Sequence, residues 1–105
     1  MRPRAVKLSK TFNDQLVEQI DYGEQRFGTR VAEQKKEKVL AIIEGLLART
    51  PAVKRPHPKW GLVVYPVTDT PFMVLYDFTE TELRVHFIFH KSASLEDLDP
   101  NSAEW

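Results

Sequence analysis

Apolar residues recur at helical spacing in the first half of the chain and at alternate positions in the second half, and Pro51 marks the change. Ahead of the helical part, Arg4 to Leu8 alternates with Val6 and Leu8 on one side, which suits a short strand. Thr11 followed by Asp14 predicts a capping-box start for a first helix. Phe12, Leu16 and Ile20 then form one apolar stripe, widened by Val17. Gly28 is placed to end this helix as a left-handed residue beyond its last turn. Thr29 is placed to cap the next helix, whose expected buried face is Ala32, Val39, Ile42, Ile43, Leu46 and Leu47. Glu33, Lys36, Glu37 and Lys38 fall on its water side. Pro51 biases Thr50 away from helical backbone, so the second helix is expected to run to about Thr50.

From Pro51 to Lys59 three prolines argue against regular structure. Three β-prone runs follow, Leu62 to Val67, Phe72 to Phe78 and Leu83 to His90. They are separated by the short polar stretches Thr68–Pro71 and Thr79–Glu82, which imply antiparallel hairpins and a meander. The expected architecture is α/β in the α+β sense: a helical hairpin packed on one face of a small, mainly antiparallel sheet, in the order β-α-α-β-β-β. Residues 1–105 read as one domain, with an irregular acidic tail over 94–105 that turns at Leu95–Leu98.

Composition narrows the function classes. The chain has 105 residues, no cysteine, and 15 basic against 15 acidic side chains. One core of ordinary size is expected, without disulfides or a thiolate metal site. No run approaches the ~20 apolar residues of a membrane span. The opening MRPRAVKLSK lacks the apolar stretch of a signal peptide, so a soluble cytoplasmic protein is expected. The charges cancel overall but segregate locally. Lys54, Arg55, His57 and Lys59 share a loop without acids, whereas Glu96, Asp97, Asp99 and Glu104 share a tail without bases. The histidines do not show a metal spacing such as HExxH, the serines lack a GxSxG setting, and no phosphate-binding glycine loop is present. Neither a metal nor a cofactor is expected.

The sharpest chemical candidate is the last strand. Strict alternation would place Leu83, Val85, Phe87 and Phe89 against the helices and Arg84, His86, Ile88 and His90 on the opposite side. A guanidinium and two imidazoles in one row could stabilise a phosphodiester and move its protons. The competing reading is an ordinary solvated strand face, since alternation produces such rows routinely. Trp60 beside Lys59 could stack on a base, or simply close the core edge. His57 reads as a solvated loop histidine, and Tyr22 and Phe27 read as packing residues of the hairpin.

Several local patterns, in this order and spacing, resemble the RelE/ParE superfamily of small bacterial toxins. They are Tyr22 with Phe27–Gly28 and Ala32, Leu46 with Pro51, Gly61–Leu62 leading into Tyr65–Pro66–Val67, Tyr76 in the middle strand, and His90 closing the last. The resemblance spans roughly Val6 to Ser92 and is nearest to ParE-type and plasmid-stabilisation toxins. It implies a type II toxin–antitoxin pair, a cognate antitoxin as partner, and growth inhibition; it also allows a homodimer. ParE-like members are regarded as poisons of DNA gyrase. RelE-like members are metal-independent endoribonucleases that cut mRNA on the ribosome, an activity to which Arg84, His86 and His90 would contribute here. Lys54, Arg55, His57, Lys59 and Trp60 would then contact nucleic acid or another target. Val63 and Phe87 stand where arginines are common in the family, and a neutral chain suits phosphate neutralisation poorly. The resemblance therefore favours the gyrase-directed reading. The alternatives are the ribonuclease and an inactive member kept as a binding module.

Overall fold

The computed structural model describes residues 3–105, so Met1 and Arg2 of the basic opening stretch lie outside the described residues. The elements are β1 (Ala5–Leu8), α1 (Lys10–Phe27), α2 (Thr29–Ala41), β2 (Val63–Pro66), β3 (Phe72–Phe78) and β4 (Glu82–His90). The strands form one sheet in the order β1-β4-β3-β2. The meander β2-β3-β4 is antiparallel, and β1 joins β4 in parallel. This is the expected α+β arrangement, with α1 and α2 covering one face of a mainly antiparallel sheet.

Ser9 starts α1, where Thr11 and Asp14 were expected to do so. Its Oγ accepts a hydrogen bond from the Phe12 N–H at 2.8 Å and donates to the His86 carbonyl at 2.6 Å. One buried hydroxyl thus caps a helix and ties it to β4. Asp14 instead pairs with Lys10 at 2.7 Å, one turn earlier. Gly28 does end α1, with its N–H donating to the Glu24 carbonyl. Its φ of 90° and ψ of 162° lie outside the left-handed helical region, although the positive φ still favours glycine. The same residue precedes α2, and Thr29 makes no capping bond from its side chain.

Phe12, Leu16, Ile20, Ala32, Val39, Ile43 and Leu47 are buried as the stripes require. Three expectations on these stripes fail. Val17 faces solvent, Leu46 is 37% exposed, and Ile42 is half-buried. Leu46 lies in a π-helical turn over Ile42–Leu47, which shifts it from the α-helical spacing of α2, whereas Ile42, whose N–H still bonds the Lys38 carbonyl, packs at the edge of the core. Beyond it, Pro51–Val53 forms a short 3-10 turn within the segment expected to be irregular. The Tyr76 hydroxyl donates to the Pro51 carbonyl at 2.6 Å, fastening this turn to the centre of the sheet.

β3 alternates cleanly. Phe72, Val74 and Tyr76 face the helices, while Met73 and Leu75 pack in a second apolar cluster with Leu62 and Phe87. A sheet face expected to carry exposed polar residues is therefore buried. Trp60, Val64 and Phe89 close it at the sides, and Leu95, Leu98 and Ala103 cross over it. The tail turns at Leu95–Leu98, as expected, but it is a strap across the sheet.

Candidate functional site

The row of basic residues expected on β4 does not exist as a row. Leu75 pairs with Phe87 and Tyr76 with Val85, so His86 is one extra residue between two registered pairs. A bulge of this kind reverses the alternation of everything beyond it. Leu83 and Val85 face the helices, as does Ile88, whereas Phe87 and Phe89 turn to the second face. Both phenylalanines were expected against the helices and Ile88 away from them. His90, paired with Phe72, consequently lies on the helix side, and Arg84 and His86 lie on the other.

Arg84 and His86 meet at a residue that the sequence reading missed. Asp77, directly opposite Arg84 on β3, accepts from Arg84 Nε at 3.0 Å and Nη2 at 2.9 Å. Its Oδ1 also lies 3.0 Å from His86 Nε2. An ionised carboxylate can only accept, so His86 Nε2 carries the proton. His86 Nδ1 is buried and has no hydrogen-bond partner among the described residues. Trp105 stands edge-on to the imidazole, with ring centroids 4.8 Å apart at 88°. The signal for Asp77 was present in the sequence, as a lone acid inside the apolar run FMVLYDF opposite a lone arginine in ELRVHFIFH. A cross-strand partner is invisible until the register is known.

His90 has a different setting. Its Nδ1 accepts the Ser92 N–H at 3.1 Å and lies 2.7 Å from Ser92 Oγ. A backbone N–H can only donate, so the neutral ring keeps its proton on Nε2. Both contacts come from one residue in the adjoining turn, and they orient the ring at the rim of a cavity of about 420 Å³. Ile20, Gly23, Ala32 and Phe72 are among its lining residues, with Tyr22 and Phe27 beside them. Those two aromatics were expected to be packing residues; they are 56% and 64% exposed. Arg26 lies over both rings, within 5.8 Å of the Phe27 centroid and 5.5 Å of that of Tyr22.

The basic loop divides similarly. Lys54 and Arg55 are exposed. His57 stacks on Trp60 at 4.1 Å, and its Nδ1 accepts the Lys59 N–H. Lys59 Nζ donates to the Glu96 carbonyl at 2.7 Å. Loop and strap are therefore in contact. Trp60 belongs to the edge of the second apolar cluster, with its indole N–H buried and unpaired among the described residues. Among the described residues no group of three or more histidines and carboxylates could hold a metal ion, and no helix is long and apolar enough to cross a membrane.

No protein-family model matches the sequence, and no curated protein matches it. Nine chains of solved structures do match. One, described as the chromosomal ParDE TA system from P. aeruginosa, is similar with a TM-score of 0.73 and 15% identity, over 83% of this chain and 95% of that chain. The chain thus has the fold seen in a toxin–antitoxin structure, which is the fold implied by its sequence patterns.

Proposed function

We propose that this protein is the toxin of a two-protein toxin–antitoxin system, a ParE-like growth inhibitor that acts on DNA gyrase by binding and is silenced by a cognate antitoxin. The observation that carries the toxin class is the shared fold with a chain of a ParDE system. The bulge at His86 supports binding over nucleolysis, because it sends His90 to the face opposite Arg84 and His86. Acid–base cleavage of a phosphodiester needs its groups around one reacting atom, within hydrogen-bond reach. Lys54 and Arg55 remain free to contact a target from the loop. The exposed aromatics Tyr22 and Phe27, beside an apolar cavity, suit an antitoxin segment that buries over ~1,000 Å². The site of action is the cytoplasm, where gyrase works.

The test is inducible expression followed by assay of the purified protein. Growth arrest, inhibited supercoiling and intact mRNA on ribosomes are expected, and co-expression with the neighbouring small open reading frame should relieve the arrest. The ribonuclease reading has one observation in its favour, the Arg84–Asp77–His86 cluster. It predicts mRNA cleavage that disappears in Arg84→Ala or His86→Ala, and such a result would replace the gyrase proposal. A well-folded protein that neither arrests growth nor binds a neighbour would be an inactive binding module.

A further inference from the structure

The cavity beside His90 is graded from a closed floor to an open mouth. Ile20, Ala32 and Phe72, at most 8% exposed, form the floor, while Tyr22, Phe27 and Val31 stand at the mouth and face solvent. Gly23 enlarges the space. A Cβ built there would meet only the Ala32 Cβ, at 3.7 Å, which is an ordinary contact. The helix thus tolerates a side chain at this position and carries none. At about 420 Å³ the cavity is nearly three times the ~150 Å³ that holds a benzene, and it falls within the ~300–1,000 Å³ of small-molecule sites. An apolar body of about ten to fifteen heavy atoms suits such a space.

The polar side chains around it are basic or neutral. Lys35, His90 and Gln19 line the cavity, and among the described residues no carboxylate does. Lys35 is half-buried, with its stem along the apolar wall and its Nζ donating to the Asp69 carbonyl at 2.7 Å. It makes no ion pair among the described residues; the Asp69 carboxylate lies instead 3.9 Å from Lys38. An ammonium has three donors, so two remain on Lys35. Arg26, over the Tyr22 and Phe27 rings, donates to the Tyr22 hydroxyl at 2.9 Å and is likewise without an ion pair. Ser92 occupies His90 Nδ1, which leaves the Nε2–H as the ring's donor. The acids of the same hairpin are elsewhere: Asp21, Glu24 and Glu33 line a different groove, with Val17 and Leu40. Two cations and a ring N–H about an apolar space are complementary to one anion joined to an apolar body.

We propose that this cavity is a binding site for a free amphipathic carboxylic acid, with its aromatic or branched body on Ile20, Ala32 and Phe72 and its carboxylate toward Lys35 and His90. Lys35 supplies the charge and the His90 Nε2–H a second donor. A neutral head forgoes the charge-assisted bond, and an amine head meets Lys35 and Arg26 with like charge, so the site discriminates by repulsion as well as attraction. The site and its chemistry stand without the toxin assignment. Only the consequence that a bound acid competes with an antitoxin segment for Tyr22 and Phe27 rests on that reading.

Three matched probes on the full chain test this: 2-naphthylacetate, its neutral amide, and the cation 2-naphthylethylamine. Calorimetric titration should show one 2-naphthylacetate bound per chain with a Kd below about 1 mM. The amide should bind at least about fivefold more weakly and the amine not at all. Proton and nitrogen shifts should move at Ala32 and His90 and stay in place at His86. Two variants locate the groups responsible. Lys35→Met keeps the stem without the charge, and should weaken the acid at least about fivefold while leaving the amide within about twofold. Gly23→Leu puts a side chain into the cavity and should weaken both probes at least about tenfold. Absence of saturable binding would overturn the proposal. So would an amide that binds as well as the acid, which would mark an apolar surface for a partner protein's side chains. Equal losses of acid and amide in Lys35→Met, or unchanged binding to Gly23→Leu, would also overturn it. The acid–amide comparison on wild-type protein decides the matter even where a variant misfolds. None of these readouts involves growth arrest or an antitoxin, so a failed toxin assignment and a failed ligand site are told apart.

Discussion

The two faces of the sheet are both buried, but by covers of different strength. On one, α1 and α2 lay down a continuous stripe from Phe12 to Leu47, and the residues they meet on β3 and β4 are fully enclosed. On the other, a loop ending at Trp60 and the strap 93–105 do the covering with half-buried residues. The ionic cluster Arg84–Asp77–His86 lies under the weaker cover. A fold can thus be held by one face while the other carries charged groups and a bulge beneath a cover of half-buried residues, at small cost to global stability.

The largest test of this contrast compares one apolar truncation from each cover. Phe12→Ala, at a fully buried position of the helix cover, should cost about 3–5 kcal/mol. Leu98→Ala, at a half-buried position of the strap, should cost under about 1 kcal/mol, in proportion to the smaller apolar area it removes. Urea denaturation of both measures the difference. Equal losses would mean that the strap is as much a part of the cooperative core as α1.

Tyr76 tests the helix side by its ionisation. Burial pushes its phenol up to about 12 from an ordinary 10.0, with Tyr65 adding to the shift. A folded state that retains a proton which the unfolded chain releases loses stability as pH rises. The contribution is fully present below pH ~10 and should be lost between about 10 and 12, by on the order of 2 kcal/mol. Tyr76→Phe should abolish this alkaline loss. At neutral pH it should cost roughly 1–2 kcal/mol, because the Pro51 carbonyl is left without its donor. A wild-type stability that is flat from pH 9 to 12 would contradict the burial of this hydroxyl.

Reading from sequence succeeded where one periodicity decides the structure and failed where a local defect resets it. The order of elements, the hairpin at Gly28 and the bounds of the last two strands follow from spacing and from glycine and proline chemistry. The π-turn at Ile42–Leu47 and the bulge at His86 each shift phase. Leu46 came out although Ile43 and Leu47 stayed buried, and beyond the bulge the β4 assignments inverted: Phe87, Ile88 and Phe89 changed faces, and His90 parted from Arg84. Nothing in ELRVHFIFH marks the extra residue, because the bulge is stabilised from afar, by Ser9 holding the His86 carbonyl and Gln15 accepting the Ile88 N–H at 2.9 Å. Asp77 and Trp105 were missed for the same reason. Their roles are set by cross-strand register and by a strap that returns to the sheet, neither of which leaves a local signature.

Asp77→Asn is the next step down in size. The amide keeps the shape and loses the charge that holds Arg84 and His86 together. Arg84 is partly solvated, so the cost should be modest, about 0.5–1 kcal/mol. The structural effect should exceed the energetic one: Arg84 should become mobile and His86 should lose its fixed Nε2 proton. Nitrogen-15 spectra of the arginine and histidine side chains report both. Unchanged spectra would show that the bulge alone orders the cluster, with Asp77 a bystander.

The smallest expected effect is that of Trp105→Ala, and it is the most direct probe of the weaker cover. Trp105 is 56% exposed, so little apolar area is lost and the stability change should stay within about 0.5 kcal/mol. An edge-on aromatic pair contributes roughly 0.5–1.5 kcal/mol when well enclosed, and the exposure here places it at or below the lower end. The imidazole protons of His86 nevertheless lie within the ring current of an indole whose centroid is 4.8 Å away. Their chemical shifts should therefore move clearly in the variant, while those of His90, on the other face, stay in place. A shift at His86 without loss of stability would mean that the indole sits on the cluster as a cover and not as part of the core. Silence at His86 would place Trp105 elsewhere in solution, leaving the strap's part of the cover to Leu95, Leu98 and Ala103.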